Sequence, residues 1–144
     1  MPRRTVLADG PVSVVDYRCD GEPGQAAYPE LHGSWSVSYV HRGSFGCHCG
    51  GRRFELVPGS FLLGRPGDEY TCTHDHHEGG DQCLAFHIAP GLVDELSRRG
   101  RAWSSGALPP LAELMVHGEL ARQSVGGGNE LGLDEIGLRI AARV

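Results

Sequence analysis

Between Glu69 and His87 the chain reads EYTCTHDHHEGGDQCLAFH, a stretch that holds four of the eight histidines and two of the five cysteines. Imidazole and thiolate are the donors Zn²⁺ prefers, in tetrahedral array. Residues at i and i+2 on a strand share a face, so a regular strand presents Tyr70, Cys72, His74 and His76 together. Glu78-Gly79-Gly80-Asp81 is turn chemistry, and a β-hairpin folded about it returns Cys83 opposite Cys72 and His74. Cys72, His74, His76 and Cys83 are therefore the candidate metal ligands, with zinc the expected ion. Their spacing is not that of a zinc finger or ribbon, so plainer readings stand beside it. Cys72 and Cys83 could close a redox-sensitive cross-strand disulfide, or serve as small buried hydrophobes. His74 then becomes a hydrogen-bonded core residue, and His76 and His77 are solvated in a polar turn. In Cys47-His48-Cys49 the two cysteines share a face with Phe45, which favours burial over ligation.

The elements that must position these residues are short and closely spaced. Val12–Cys19 reads as an opening strand, followed by a loop rich in Gly and Pro up to Pro29. Trp35–Val40 alternates large and small side chains with period two. Phe45–Cys49, Arg53–Val57 and Ser60–Leu63 follow, separated by Gly50-Gly51 and Pro58-Gly59, and Arg65-Pro66-Gly67-Asp68 turns the chain into the Cys/His stretch. Six or seven short strands with a turn at each break predict a sandwich or barrel. The 22 glycines and nine prolines in 144 residues suit such a fold.

After His87 the pattern becomes helical. Leu92–Arg99, with Pro90 before it and Gly100 behind, is a predicted helix. Residues 101–110 form a linker, and Leu111–Arg122 and Asp134–Val144 are two further helices separated by the glycine-rich segment at 124–129. In the last helix Leu133, Ile136, Ile140 and Val144 share one face. That apolar stripe predicts a partner, either a second chain or a further domain. The expected organisation is a β-barrel with its first trailing helix over 1–100 and a helical segment over 101–144.

All thirteen positive charges are Arg, and the net charge is −5 with histidines neutral. An acidic chain without a basic stripe is a poor nucleic-acid binder by itself. No run approaches 18 apolar residues, so no membrane span is predicted. The N-terminus lacks the apolar core of a secretory signal. A cytoplasmic, reducing location is the default, where cysteines are free thiols or ligands first. No nucleophile elbow or phosphate-binding glycine loop occurs.

Tyr39-Val40-x-x-Gly43, Phe54-Glu55-Leu56-Val57-Pro58-Gly59-Ser60 and Gly64-x-Pro66-Gly67-Asp68-Glu69-Tyr70 occur in that order and spacing. This pattern, over about Leu31–Leu96, resembles the cupin barrel that forms the N-terminal half of AraC-type transcriptional regulators. The resemblance implies a mainly β chain, a small jelly-roll-like cupin barrel followed by two or three helices. It implies a domain that senses a small effector, dimerises through its trailing helices and reaches DNA only through a C-terminal domain absent from this chain. The expected effector-binding residues are Trp35, Tyr39, Phe45, Phe61, Tyr70 and Phe86, or the alternate-face neighbours of Trp35, Val37 and Tyr39, with His32 at the barrel mouth.

Enzymatic cupins hold a metal through two histidines and a carboxylate of one motif and a histidine of a second. On this sequence the first motif falls on Glu30-x-His32-x-x-x-Ser36 and the second puts Tyr70 at the histidine position. Only His32 keeps its type, so the resemblance favours a sensor over an enzyme. A metallo-cupin enzyme, and a metal or redox sensor built on the Cys/His stretch, are the alternative functions.

Overall fold

The computed structural model describes residues 3–20, 26–27, 29–74, 80–96, 103–125 and 132–144. The described strands are β1 (Arg3–Ala8), β2 (Val12–Cys19), β3 (Glu30–Leu31), β4 (Trp35–Arg42), β5 (Phe45–Cys49), β6 (Arg52–Leu56), β7 (Phe61–Gly64), β8 (Glu69–Thr73), β9 (Asp81–Ile88) and β10 (Ala107–Leu108). The helices are α1 (Pro90–Leu96), α2 (Ala112–Val125) and α3 (Leu133–Arg143). A large antiparallel sheet runs β1-β2-β9-β4-β7-β10, and a small one runs β3-β8-β5-β6. Side chains from both sheets meet in one apolar cluster: Val40, Leu62 and Cys83 from the large sheet, Phe45, Cys47 and Leu56 from the small one. The two sheets therefore face each other.

Strand alternation splits the large sheet into two unlike surfaces. One face carries Val14, Val37, Tyr39, Phe61, Leu63, Leu84, Phe86 and Ile88, all fully or nearly buried. Against it lie Val93 of α1, Leu114 and Ala121 of α2, and Ile136, Ile140 and Ala141 of α3. The other face of the same strands carries Ser13, Val15, Ser36, Ser38, Ala85 and His87, and it looks into the space between the sheets.

The apolar stripe of α3 is thus covered by its own chain. Ile136 and Ile140 are wholly buried, and a side chain at Gly137 would run into Phe86 and Val12. Gly118 on α2 lies just as close to the Tyr39 ring. Small residues at these points let the helices settle onto the sheet. The expectation that the last stripe needs a second chain or further domain is corrected here: the large sheet is the partner. Its face could not be recognised in sequence, because strands of mixed polarity do not reveal which side receives a helix.

A second correction concerns the Cys/His stretch. Its two arms do not pair as a hairpin. β8 pairs with β5 and β3 in the small sheet, whereas β9 pairs with β2 and β4 in the large one. The chain crosses between sheets at this point. Two further strands were not predicted, one ahead of the expected opening strand and one within the expected linker. β1 pairs along β2, and the segment before α2 contributes β10 beside β7 and the buried Trp103, whose ring meets Trp35 edge-on at 5.4 Å. The strand expected at Ser60–Leu63 is observed one residue further on, as β7 (Phe61–Gly64), with all four residues buried.

Candidate functional site: a cavity between the sheets

A cavity of about 950 Å³ occupies the space between the sheets. That volume lies in the range of small-molecule sites. β1 and the exposed residues Ala26, Ala27, Leu31 and Gly33 rim it. Its back wall is set by register. Ser36 of β4 and Ser13 of β2 flank His87 of β9, Ser38 and Val15 flank Ala85, and Val40 and Tyr17 flank Cys83. One turn of the pleat thus gives rows of hydroxyl, imidazole and short aliphatic groups, with Leu62 and Phe45 adding apolar surface.

Two histidines stand on this wall. His32 stacks on Tyr70, centroids 4.0 Å apart and planes 17° from parallel. Its imidazole lies over Gly64, the residue of β7 opposite Ser36. His87 Nδ1 is 2.7 Å from Ser34 Oγ. Burial lowers both imidazoles below their ordinary range; for His32, Asp68 opposes this and His87 adds to it, and for His87, Arg4 adds to it. Both are neutral at pH 7 and can each donate and accept a hydrogen bond. Burial, with Glu30 next in weight, raises the Tyr70 phenol, and burial raises the Glu30 carboxyl.

This arrangement predicts a pH dependence. A group whose pKa is lowered on folding contributes stability that is complete above its unfolded value and is lost as pH falls through the folded one. The His87→Gln variant is therefore expected to lose less stability than the parent when pH drops from above 7 to about 5, measured by urea unfolding. An equal loss in both would show that His87 carries none of it.

The sequence-predicted binding residues divide between the two faces. His32, Phe45 and Tyr70 line the cavity. Trp35, Tyr39, Phe61 and Phe86 do not; they belong to the core under the helices, where Tyr39 donates to Glu119 Oε2 at 2.6 Å and lies 5.0 Å from Phe61. The alternate-face neighbours Ser36 and Ser38 line the cavity instead. Of the two faces that the sequence leaves open on β4, the one with small polar residues lines the cavity and the aromatic one packs under the helices.

Of the predicted metal ligands, Cys72, His74 and Cys83 line the cavity, and His76 lies outside the described residues. Cys72 faces Cys47 in register across β8 and β5. Its thiol is raised by a hydrogen bond to Cys47 and by burial, while that bond lowers Cys47. Burial raises Cys83. None of the five cysteines is in a disulfide, so the Cys72–Cys83 bond is not formed; those two residues belong to different sheets. Among the described residues the metal-like grouping is Cys19, His74 and Asp81, whose donor atoms all lie within 4.8 Å of one another. Cys19 and Asp81 were not among the predicted ligands, because the register that joins β2 to β9 spans more than sixty residues of sequence. The cupin metal pattern itself does not fit: His32 is stacked on Tyr70, and Ser36 and Tyr70 stand where further ligands would be needed.

Facing antiparallel sheets around a cavity of mixed polarity, with helices on one flank, define a cupin-type fold. The chain belongs to the AraC-like ligand binding domain family, whose model matches residues 14–126. No curated protein matches it. Among solved structures it is similar to a Rhizobium leguminosarum protein of unknown function at 20% identity and TM-score 0.52, covering 61% of this chain and 81% of that one. It is also similar to a putative mannose-6-phosphate isomerase from Ralstonia eutropha at 16% identity and TM-score 0.51, over 62% and 85% of the two chains. The Cnp3 cupin domain of Schizosaccharomyces pombe matches at 14% identity and TM-score 0.52, over 69% and 67%. At these identities the structures establish the fold alone. Among the described residues no helix is long and apolar enough to cross a membrane.

Proposed function

We propose that this chain is the effector-sensing domain of a bacterial AraC-type transcriptional regulator. The observation that carries the reading is the cavity: a space of about 950 Å³ walled by serines, three histidines and Tyr70, in a chain of the AraC-like ligand binding family. Such a wall suits a small organic molecule with several hydroxyl or carbonyl groups and some apolar surface. Binding would act by favouring one arrangement of the elements around the cavity over another. DNA would be reached through a domain outside this chain, in the cytoplasm, and no catalysis is assigned.

Dimerisation through the trailing helices belongs to the same proposal, with α2 as the element. α3 has spent its stripe on the sheet, whereas α2 keeps Val116 and Val125 exposed. Zinc is not required for this effector reading; the Cys19–His74–Asp81 corner is where such an ion would bind.

A thermal-shift screen of small polyhydroxylated and carboxylated compounds tests the pocket. A ligand at about 100 times its Kd adds roughly 2.7 kcal/mol of stability. The Ser38→Trp variant, which fills the cavity from its back wall, is expected to lose the shift while remaining folded. A shift that survives in Ser38→Trp would place binding elsewhere. Sedimentation of the parent and of Val116→Glu tests the dimer; a parent protein that is monomeric at tens of micromolar would remove that part of the proposal.

A further inference from the structure

The corner of the cavity at Cys19, His74 and Asp81 has the form of a metal site. Cys19 and Asp81 are direct register partners at the end of the β2–β9 pair, and both side chains face the cavity. Opposed residues in an antiparallel pair hold their Cβ atoms about 5 Å apart. His74 follows β8 and enters from the opposite sheet, its Nε2 3.7 Å from Cys19 Sγ and its Nδ1 3.8 Å from Asp81 Oδ2. The Asp81 side chain is only 5% exposed, and among the described residues its Oδ2 has no hydrogen-bond partner. A buried carboxylate oxygen without a partner is costly.

Cysteine, histidine and aspartate also suggest a nucleophile with its base and orienting acid. The geometry decides against that. The contacts do fall on opposite ring nitrogens, Nε2 toward Cys19 and Nδ1 toward Asp81, as in such a relay, but a relay separates nucleophile and acid by roughly 7 Å or more. Here the three donor atoms lie within 4.8 Å of one another and form a compact triangle. Zinc bonds of about 2.0–2.3 Å place tetrahedral ligands roughly 3.3–3.8 Å apart. An ion bound through one nitrogen of His74 would draw the three donors from their present separations, all under 4.8 Å, into that range.

We propose that Cys19, His74 and Asp81 bind one Zn²⁺ ion and leave its fourth coordination position facing the cavity. Three protein ligands with one open position is the arrangement by which zinc engages water or a ligand. An effector bearing a carboxylate or thiolate could then bind the ion directly. The ion would also link the two sheets, because His74 comes from one and Cys19 and Asp81 from the other. The site stands independently of the effector reading, since the metal can be assayed with no effector present.

The test uses reduced protein freed of metal with a chelator and titrated with Co²⁺, then Zn²⁺. One equivalent of Co²⁺ is expected to give thiolate-to-metal charge-transfer absorption and tetrahedral ligand-field bands, both displaced by Zn²⁺. Cys19→Ser is expected to abolish the charge-transfer band, and Cys72→Ser to leave it unchanged. Asp81→Asn should lower affinity by at least about tenfold, since even outer partners of metal ligands are worth that much. The unsubstituted protein should also show a melting temperature that rises with Zn²⁺ and saturates at one equivalent, which needs no variant to fold. Uptake without the charge-transfer band means an adventitious ion only and overturns the proposal. So does a band that survives Cys19→Ser but vanishes in Cys72→Ser, or a melting temperature indifferent to Zn²⁺.

Discussion

Replacing Phe86 by alanine is expected to cost about 3–5 kcal/mol of stability. Phe86 is wholly buried in the middle of β9, in register with Val14 on one side and Val37 on the other. Its ring lies where α3 passes at Gly137, close enough that a Cβ there would meet the ring edge at 2.7 Å. Truncation removes a large apolar side chain and leaves a void that a sheet and a helix cannot readily close together. A domain of this size has about 5–15 kcal/mol in total, so the variant would sit near the edge of folding, with a melting temperature lower by roughly 10 °C or more. Urea unfolding measures the effect as a shifted midpoint at unchanged slope. Ser38→Ala on the cavity wall provides the contrast, with a cost of well under 1 kcal/mol expected at a residue facing an open space. Were Phe86 a cavity-lining residue, its truncation would be nearly as mild. A loss of less than about 1 kcal/mol in Phe86→Ala would therefore contradict the assignment of faces in the large sheet.

The second large effect is expected at Gly64. It ends β7, opposite Ser36, and the His32 imidazole rests on it. A Cβ at this position would run into His32 Nδ1 and Ser36 Oγ, well inside contact distance. Gly64→Ala must therefore push both groups away, lifting His32 from its stack on Tyr70. Overpacking of this kind costs about 1–3 kcal/mol. Two measurements check the cause. In the NMR spectrum the His32 ring protons should lose the upfield shift that stacking on Tyr70 produces. In a double-mutant cycle, Ser36→Gly removes one of the two obstacles, so its combination with Gly64→Ala should cost less than the sum of the single changes. Strict additivity with unshifted His32 resonances would show that the wall tolerates a methyl group at Gly64.

Gly64 also shows how a motif and its physical reason can be separated. It heads the run Gly64-x-Pro66-Gly67-Asp68-Glu69-Tyr70, which carried much of the family resemblance. The sequence offers it as punctuation before a turn. Only the folded chain shows that it is small because an imidazole lies upon it, and that Tyr70 six residues on is the other face of the same stack.

Most strands were legible for the same local reason. Phe45–Cys49 and Val12–Cys19 alternate and are bounded by turn residues, and both are strands at those limits. α2 and α3 were announced by their periodicity and flanking Gly and Pro. β1 and β10 were not, because they are stabilised by the neighbours they pair with and carry little pattern of their own.

The amino-acid sequence by itself determined the mainly β character, the order of most strands, the trailing helices and the family, since these rest on periodicity, turn chemistry and motif spacing along the chain. The tertiary structure decided which face of each strand looks inward. Period two makes both faces equally available, and here the aromatic face went to the helices while the serines took the cavity. It also decided the company of the cysteines. The placing of β8 and β9 in different sheets separated the arms of the Cys/His stretch, set Cys72 against Cys47, and left His74 to meet Cys19 and Asp81. Those contacts join residues 55 and seven positions apart in sequence, and nothing local to any of them specifies the meeting.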